Sequence, residues 1–130
     1  MHCRCTNSSW GSACSLIPSQ AKWQPRVPQI SYSDALYTLR NRSSPTGLMY
    51  DHDSASAWFD YVDPESGARH QVWLDTPSSL AIKYSALRQR GVRGVSWWTT
   101  DGVRYPGGGY APADADGEAA EMWDALSAFL

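Results

Sequence analysis

The chain has 130 residues, enough for one domain of ordinary size, and a formal net charge of −2. Its lysines and arginines are scattered, which argues against nucleic acid or an anionic membrane surface as partner. No apolar run approaches the roughly 18 residues of a transmembrane span. In chain order, residues 1 to 30 read as irregular, with Pro18, Pro25 and Pro28 and no sustained period. The opening MHCRCTNSSWGSAC has no apolar core, so no signal peptide is expected there. Ser31 or Ser33 caps a short helix through Asp34, Leu36 and Leu39 that ends near Asn41. Leu48 to Tyr50 is a short strand. Ala57 to Val62 and Arg69 to Leu74 are two strands joined by Asp63-Pro64-Glu65-Ser66-Gly67, where Pro64 presets a turn and Gly67 accepts positive φ. Thr76 caps a helix with Pro77 in its first turn, Leu80, Tyr84 and Leu87 on one face, and Gly91 as its stop. Gly94 to Trp98 reads as a buried strand, which would complete a strand–helix–strand unit. A loop from Asp101 to Ala115 leads to a last helix from about Asp116. That helix sets Ala119, Met122, Trp123, Leu126 and Phe129 on one face.

The chemistry-bearing residues are few. Cys3, Cys5 and Cys14 allow one internal disulfide and leave one thiol over, and they lack the spacing of a zinc site. No metal ligand set and no cofactor site is expected. With the sequons at Asn7 and Asn41, both glycosylation candidates, the cysteines suit an oxidising compartment. Asp114, Asp116 and Glu118 follow Pro112 rather than an apolar strand, so they read as acids that cap the last helix and complement its dipole. His2, His52 and His70 stand apart from any nucleophile pattern, and no self-sufficient catalytic constellation is present. The seven tryptophans and seven tyrosines either fill a core or offer flat faces for sugar rings. Trp97 and Trp98, as strand neighbours, face opposite ways: both are core, or one floors a sugar site.

The order H-Q-V-W-x-D-x-P-x-S-L-x-x-K-Y from His70, then R-G-V-S-x-W, then E-M-W-x-x-L from Glu121, resembles the carboxyl-terminal part of family-18 glycoside hydrolases, the chitinase family. The turn Tyr61-Val62-Asp63-Pro64 and the sequon at Asn41 extend the likeness upstream. The resemblance implies an α/β fold: the last part of a (β/α)8 TIM barrel, preceded by a small α+β insertion. Residues 1–75 correspond to the insertion region and 76–130 to the last βα units, with the Thr76 helix as helix seven, Gly94–Trp98 as strand eight and the final helix as helix eight. A complete barrel needs about 250 residues, so an incomplete barrel is expected, with a missing N-terminal barrel segment as its partner.

By the same resemblance, the activity is hydrolysis of N-acetylglucosamine oligosaccharides, such as the chitobiose core or chitin oligomers. The family's acid motif D-x-x-D-x-D-x-E does not occur in these residues. No catalytic residue is therefore expected in this chain, and inactivity alone is. The family's substrate attacks its own anomeric carbon through the N-acetyl group, outside the usual two-carboxylate scheme. Trp98 matches the strand-eight tryptophan under the sugar at the scissile bond, and Asp51, Trp58 and Asp75 match positions near outer sugars. The resemblance implies a lysosomal or extracellular location. The alternatives are a non-catalytic, lectin-like module that binds chitin oligosaccharides, or a structural remnant with no ligand.

Overall fold

A computed structural model describes residues 2–5, 14–15, 29–105 and 117–130. Its elements are β1 (His2–Cys5), β2 (Cys14–Ser15), α1 (Tyr32–Arg42), β3 (Met49–Asp51), β4 (Ser56–Val62), β5 (Arg69–Leu74), α2 (Pro77–Gln89) and α3 (Glu118–Asp124). Short 3-10 turns follow at Thr100–Gly102 and Ala125–Ala128. The strands form one sheet in the order β2-β1-β5-β4-β3. The chain packs as two units, Met1–Tyr50 with Ala57–Leu74, and Asp51–Ser56 with Asp75–Leu130.

The first unit is built on the β4–β5 hairpin. Six antiparallel pairs run from Ala57 opposite Leu74 to Val62 opposite Arg69. The turn closes as its residues dictate. Asp63 accepts from the Glu65 N–H at 2.9 Å and the Ser66 hydroxyl at 2.7 Å. Gly67 takes φ +65°, which a side chain would resist. Ser31 caps α1 by accepting from the Asp34 N–H at 3.0 Å. That helix covers one hairpin face, where Ala35, Phe59 and Val72 are buried with Ile30, Leu39, Tyr61 and Leu74 against them. Phe59 and Val72 have no exposed surface. The alternation of β4 and β5 thus sorts Phe59, Tyr61, Val72 and Leu74 to the helix-covered side.

The second unit is built on α2. Thr76 and Ser79 form a reciprocal capping box: the Ser79 N–H donates to the Thr76 hydroxyl at 3.2 Å and the Thr76 N–H to the Ser79 hydroxyl at 2.9 Å. Pro77 occupies the first turn, where a missing N–H costs nothing. Gly91 ends the helix at φ +71°. Among the described residues, the buried apolar side chains of this unit are Tyr84, Val103, Ala119, Met122 and Ala125.

Three expectations are corrected. The opening residues are not wholly irregular, because β1 pairs with β5 and β2 pairs with β1. Gly94–Trp98 is not a strand: residues 92–97 carry no regular structure, and Gly94 and Trp98 are exposed. The apolar pattern is there, but the segment pairs with no strand among the described residues, and an extended segment without a ladder leaves its backbone to water. Consequently the expected strand–helix–strand unit does not form, and the described sheet is an open one with antiparallel β1–β5 and β4–β5 pairs rather than a barrel. In the last helix the buried residues are Glu118, Ala119 and Met122, while Trp123 is 46% exposed. The cap expected from Asp114 and Asp116 lies outside the described residues. Glu118 is in the first turn of α3, and the Gly117 cap position makes no side-chain hydrogen bond.

Candidate functional site

Trp97 and Trp98 have opposite fates. The Trp97 indole N–H donates to the Tyr84 hydroxyl, and its ring stacks on Trp123 with centroids 4.5 Å apart and planes 19° apart. Trp98 is 94% exposed. Immediately after it, the Thr99 hydroxyl donates to the carboxylate of Asp101, which lies in the 3-10 turn Thr100–Gly102. The result is a flat apolar face presented to solvent from a segment whose previous residue is fixed on both sides. Such a face suits the C–H face of a sugar ring.

Asp75 precedes the α2 cap. Its Oδ1 accepts from the Ser79 hydroxyl at 2.9 Å and from Lys83 Nζ at 2.5 Å. Lys83 Nζ also donates to the Ser56 hydroxyl at 2.9 Å. Ser79 is fully buried and serves both the cap and the carboxylate. One oxygen of Asp75 is thereby committed to the helix start. Lys83 was not singled out by sequence reasoning. The signal for it existed: Asp75, Ser79 and Lys83 are spaced four apart, one side of a helix and its cap.

Asp51 closes its own turn, its Oδ2 accepting from the Ser54 N–H at 3.0 Å and from the Ser54 hydroxyl at 2.5 Å. In the same turn Ala55 takes φ +48°. Trp58, in the first unit, is 5% exposed and stacks on Trp73 with centroids 6.0 Å apart and planes 23° apart. Trp73 donates its indole N–H to Gln71 at 2.8 Å, and Gln71 donates to Asp60 at 3.3 Å. This indole–amide–carboxylate chain runs along the hairpin face opposite the one that carries Phe59 and Val72. Asp60 is 3% exposed, its Oδ2 lacks a hydrogen-bond partner, and burial pushes its carboxyl above the usual range despite Gln71 and Arg69. On the other face Tyr61 stacks on His70 at 5.0 Å. Burial, then the nearby Asp63 charge, raises the Tyr61 hydroxyl, and the turn donors lower the Asp63 carboxyl.

Each sequence-nominated residue is therefore held by a different local device: Trp98 by its loop, Asp75 by the helix cap, Asp51 by its turn and Trp58 by an indole stack. Asn41 is exposed near the end of α1 and donates its amide to the Tyr37 carbonyl at 2.8 Å. Asn7 lies outside the described residues. Among the described residues there is no cluster of three or more His, Cys, Asp or Glu that could hold a metal ion, and no helix is long and apolar enough to cross a membrane.

No family model matches the chain. It is 32% identical over 103 residues to "Probable di-N-acetylchitobiase 1" of Dictyostelium discoideum, a match over 78% of this chain and 25% of that protein. It is 27% identical over 126 residues to human di-N-acetylchitobiase, over 94% of this chain and 31% of that protein. A chitinase from Chromobacterium violaceum has a similar fold over 77% of this chain and 26% of its own, with a TM-score of 0.52 and 23% identity. The chain spans between a quarter and a third of the length of these relatives.

Proposed function

We propose that this chain, similar in sequence to di-N-acetylchitobiases, serves the recognition and hydrolysis of N-acetylglucosamine-containing oligosaccharides as the carboxyl-terminal part of a family-18 type glycosidase. The observation that carries this reading is the nearly complete exposure of Trp98 beside the anchored Trp97. An indole face held open at that position supplies the floor for a sugar ring. Asp51 and Asp75 are proposed as contacts to outer sugars, with Lys83 orienting the Asp75 carboxylate; Trp58, buried against Trp73, is not proposed as one. A lysosomal or extracellular setting fits this substrate and the cysteine-and-sequon pattern.

The general acid is not among these 130 residues, since the D-x-x-D-x-D-x-E motif does not occur in them. Acid catalysis by a positioned side chain contributes roughly 10²–10⁴-fold. The polypeptide by itself is therefore expected to turn over no chitobioside. What its own residues do is bind and orient: the indole stacks on the ring, and carboxylates accept from sugar hydroxyls. The second reading, a non-catalytic binding module, draws on the same exposed Trp98.

A fluorogenic chitobioside assay and a tryptophan-fluorescence titration with N-acetylglucosamine oligomers test both readings. No turnover by these residues alone, with turnover by a complete glycosidase carrying them that Trp98→Ala strongly lowers, supports the part-of-a-glycosidase reading. Saturable binding that Trp98→Ala abolishes favours the module. Turnover that survives stringent purification overturns the assignment of the acid to residues outside this chain.

A further inference from the structure

Three cysteines can pair in three ways, and the backbone register separates them. β1 runs antiparallel to β2 with Cys5 opposite Cys14 and Arg4 opposite Ser15. On its other edge β1 pairs with β5, where Cys3 stands opposite Gln71. Residues directly opposite in an antiparallel pair have Cα atoms about 4.5 or 5.5 Å apart, depending on the hydrogen-bonding position. Both values fall inside the window of about 4.4–6.8 Å that a disulfide requires. Cys3 and Cys5, two steps along one strand, are about 6.4–6.8 Å apart at the Cα, at the edge of that window. Cys3 and Cys14 are diagonal neighbours, about 7–8 Å apart, beyond it.

We propose that Cys5 and Cys14 form a cross-strand disulfide that closes the β1–β2 connection and leaves Cys3 as the free thiol. The oxidant is a low-molecular-weight disulfide of the glutathione class. One cysteine thiolate attacks it, forming a mixed disulfide and releasing one small thiol. The second cysteine thiolate displaces the other small thiol, so two protein thiols become one disulfide while one small disulfide becomes two thiols. The bond fixes the register of β1, the strand that joins β2 to the central hairpin.

The experiment uses the full chain made without glycosylation. It is equilibrated with a mixed glutathione and glutathione-disulfide buffer, blocked with iodoacetamide and digested with trypsin. Arg4 and Lys22 give convenient cleavage, so Cys3 falls in peptide 1–4 and both Cys5 and Cys14 fall in peptide 5–22. The expected result is peptide 5–22 two hydrogens lighter than its reduced form and unalkylated, with peptide 1–4 alkylated once. Loops of ten and twelve residues would close by Cys5–Cys14 and Cys3–Cys14. In denaturant these differ by only about 1.3-fold in closure probability, whereas the register is expected to favour Cys5–Cys14 in buffer by at least about tenfold. Cys3→Ser should leave the bond intact, and Cys14→Ser should leave both remaining thiols open to alkylation. Doubly alkylated peptide 5–22, dominant cross-linking of peptides 1–4 and 5–22, or the same ratio in buffer as in denaturant would each overturn the proposal.

Discussion

Trp97 and Trp123 stack with their ring centroids 4.5 Å apart, and the Trp97 N–H is bound to the Tyr84 hydroxyl, so three elements of the second unit meet on one indole. Its neighbour Trp98 meets almost nothing, being 94% exposed. Aromatic pairs contribute about 0.5–1.5 kcal/mol beyond their buried area. Trp97→Ala is therefore expected to destabilise by about 1–3 kcal/mol and Trp98→Ala by no more than about 0.5 kcal/mol. Urea unfolding followed by far-UV circular dichroism measures both. A larger loss from Trp98→Ala than from Trp97→Ala would contradict the structure.

The α2 cap makes a graded series. Thr76→Ala removes one acceptor from the first turn and is expected to cost about 0.5–2 kcal/mol. Ser79→Ala removes a buried hydroxyl that serves the Thr76 N–H, the Thr76 carbonyl and the Asp75 carboxylate. Leaving such partners unmet costs about 1–3 kcal/mol, so Ser79→Ala is expected to be at least as damaging as Thr76→Ala. Midpoints from the same denaturation series rank the two.

The Lys83–Asp75 pair is short, but its side chains are 33% and 38% exposed. Exposed ion pairs contribute about 0.2–1 kcal/mol. A double-mutant cycle with Asp75→Asn and Lys83→Met should give a coupling in that range, smaller at high salt because exposed charges are screened. A coupling that is unchanged by salt would mean that the pair acts chiefly through its hydrogen bonds to Ser56 and Ser79.

Asp60 and Asp63 should respond to pH with opposite signs. Burial raises the Asp60 carboxyl in the folded state, so this residue's contribution is most favourable below its unfolded pKa and is lost as pH rises through the folded value. Asp60→Asn is accordingly expected to raise Tm at neutral pH, with the gain shrinking on acidification. Asp63 is lowered by its turn donors, so its contribution is present above the unfolded pKa and fades as pH falls through the folded one. Asp63→Asn should lower Tm at neutral pH and converge with the parent chain in acid. Tm against pH for the two variants checks both signs.

Local chemistry made the hairpin and both long helices legible. Asp63-Pro64-Glu65-Ser66-Gly67 specifies a turn through its own side chains, and Thr76-Pro77 marks a helix start that the capping box realises. What escaped were features decided by distant partners. His2–Cys5 has no β-branched residue to announce it, and it becomes a strand by pairing with His70–Val72, far along the chain. Gly94–Trp98 has the opposite failing: its pattern is that of a strand, but strands exist only in pairs. Trp97 and Trp98 do differ in exposure as expected, but their segment is no strand, so alternation is not what separates them. The role of Lys83 lay in a spacing that crosses from the cap into the helix, where neither element alone suggests it.

The six-residue excursion Asp51–Ser56 belongs to one packing unit while the chain on either side belongs to the other. The boundary between the units is therefore crossed three times, at 50/51, 56/57 and 74/75. No trimming of either end yields one unit whole. Deletion after Leu74 strands Asp51–Ser56 without Lys83, and deletion before Asp75 deprives Lys83 of Ser56. Neither unit can therefore be excised whole by a single cut.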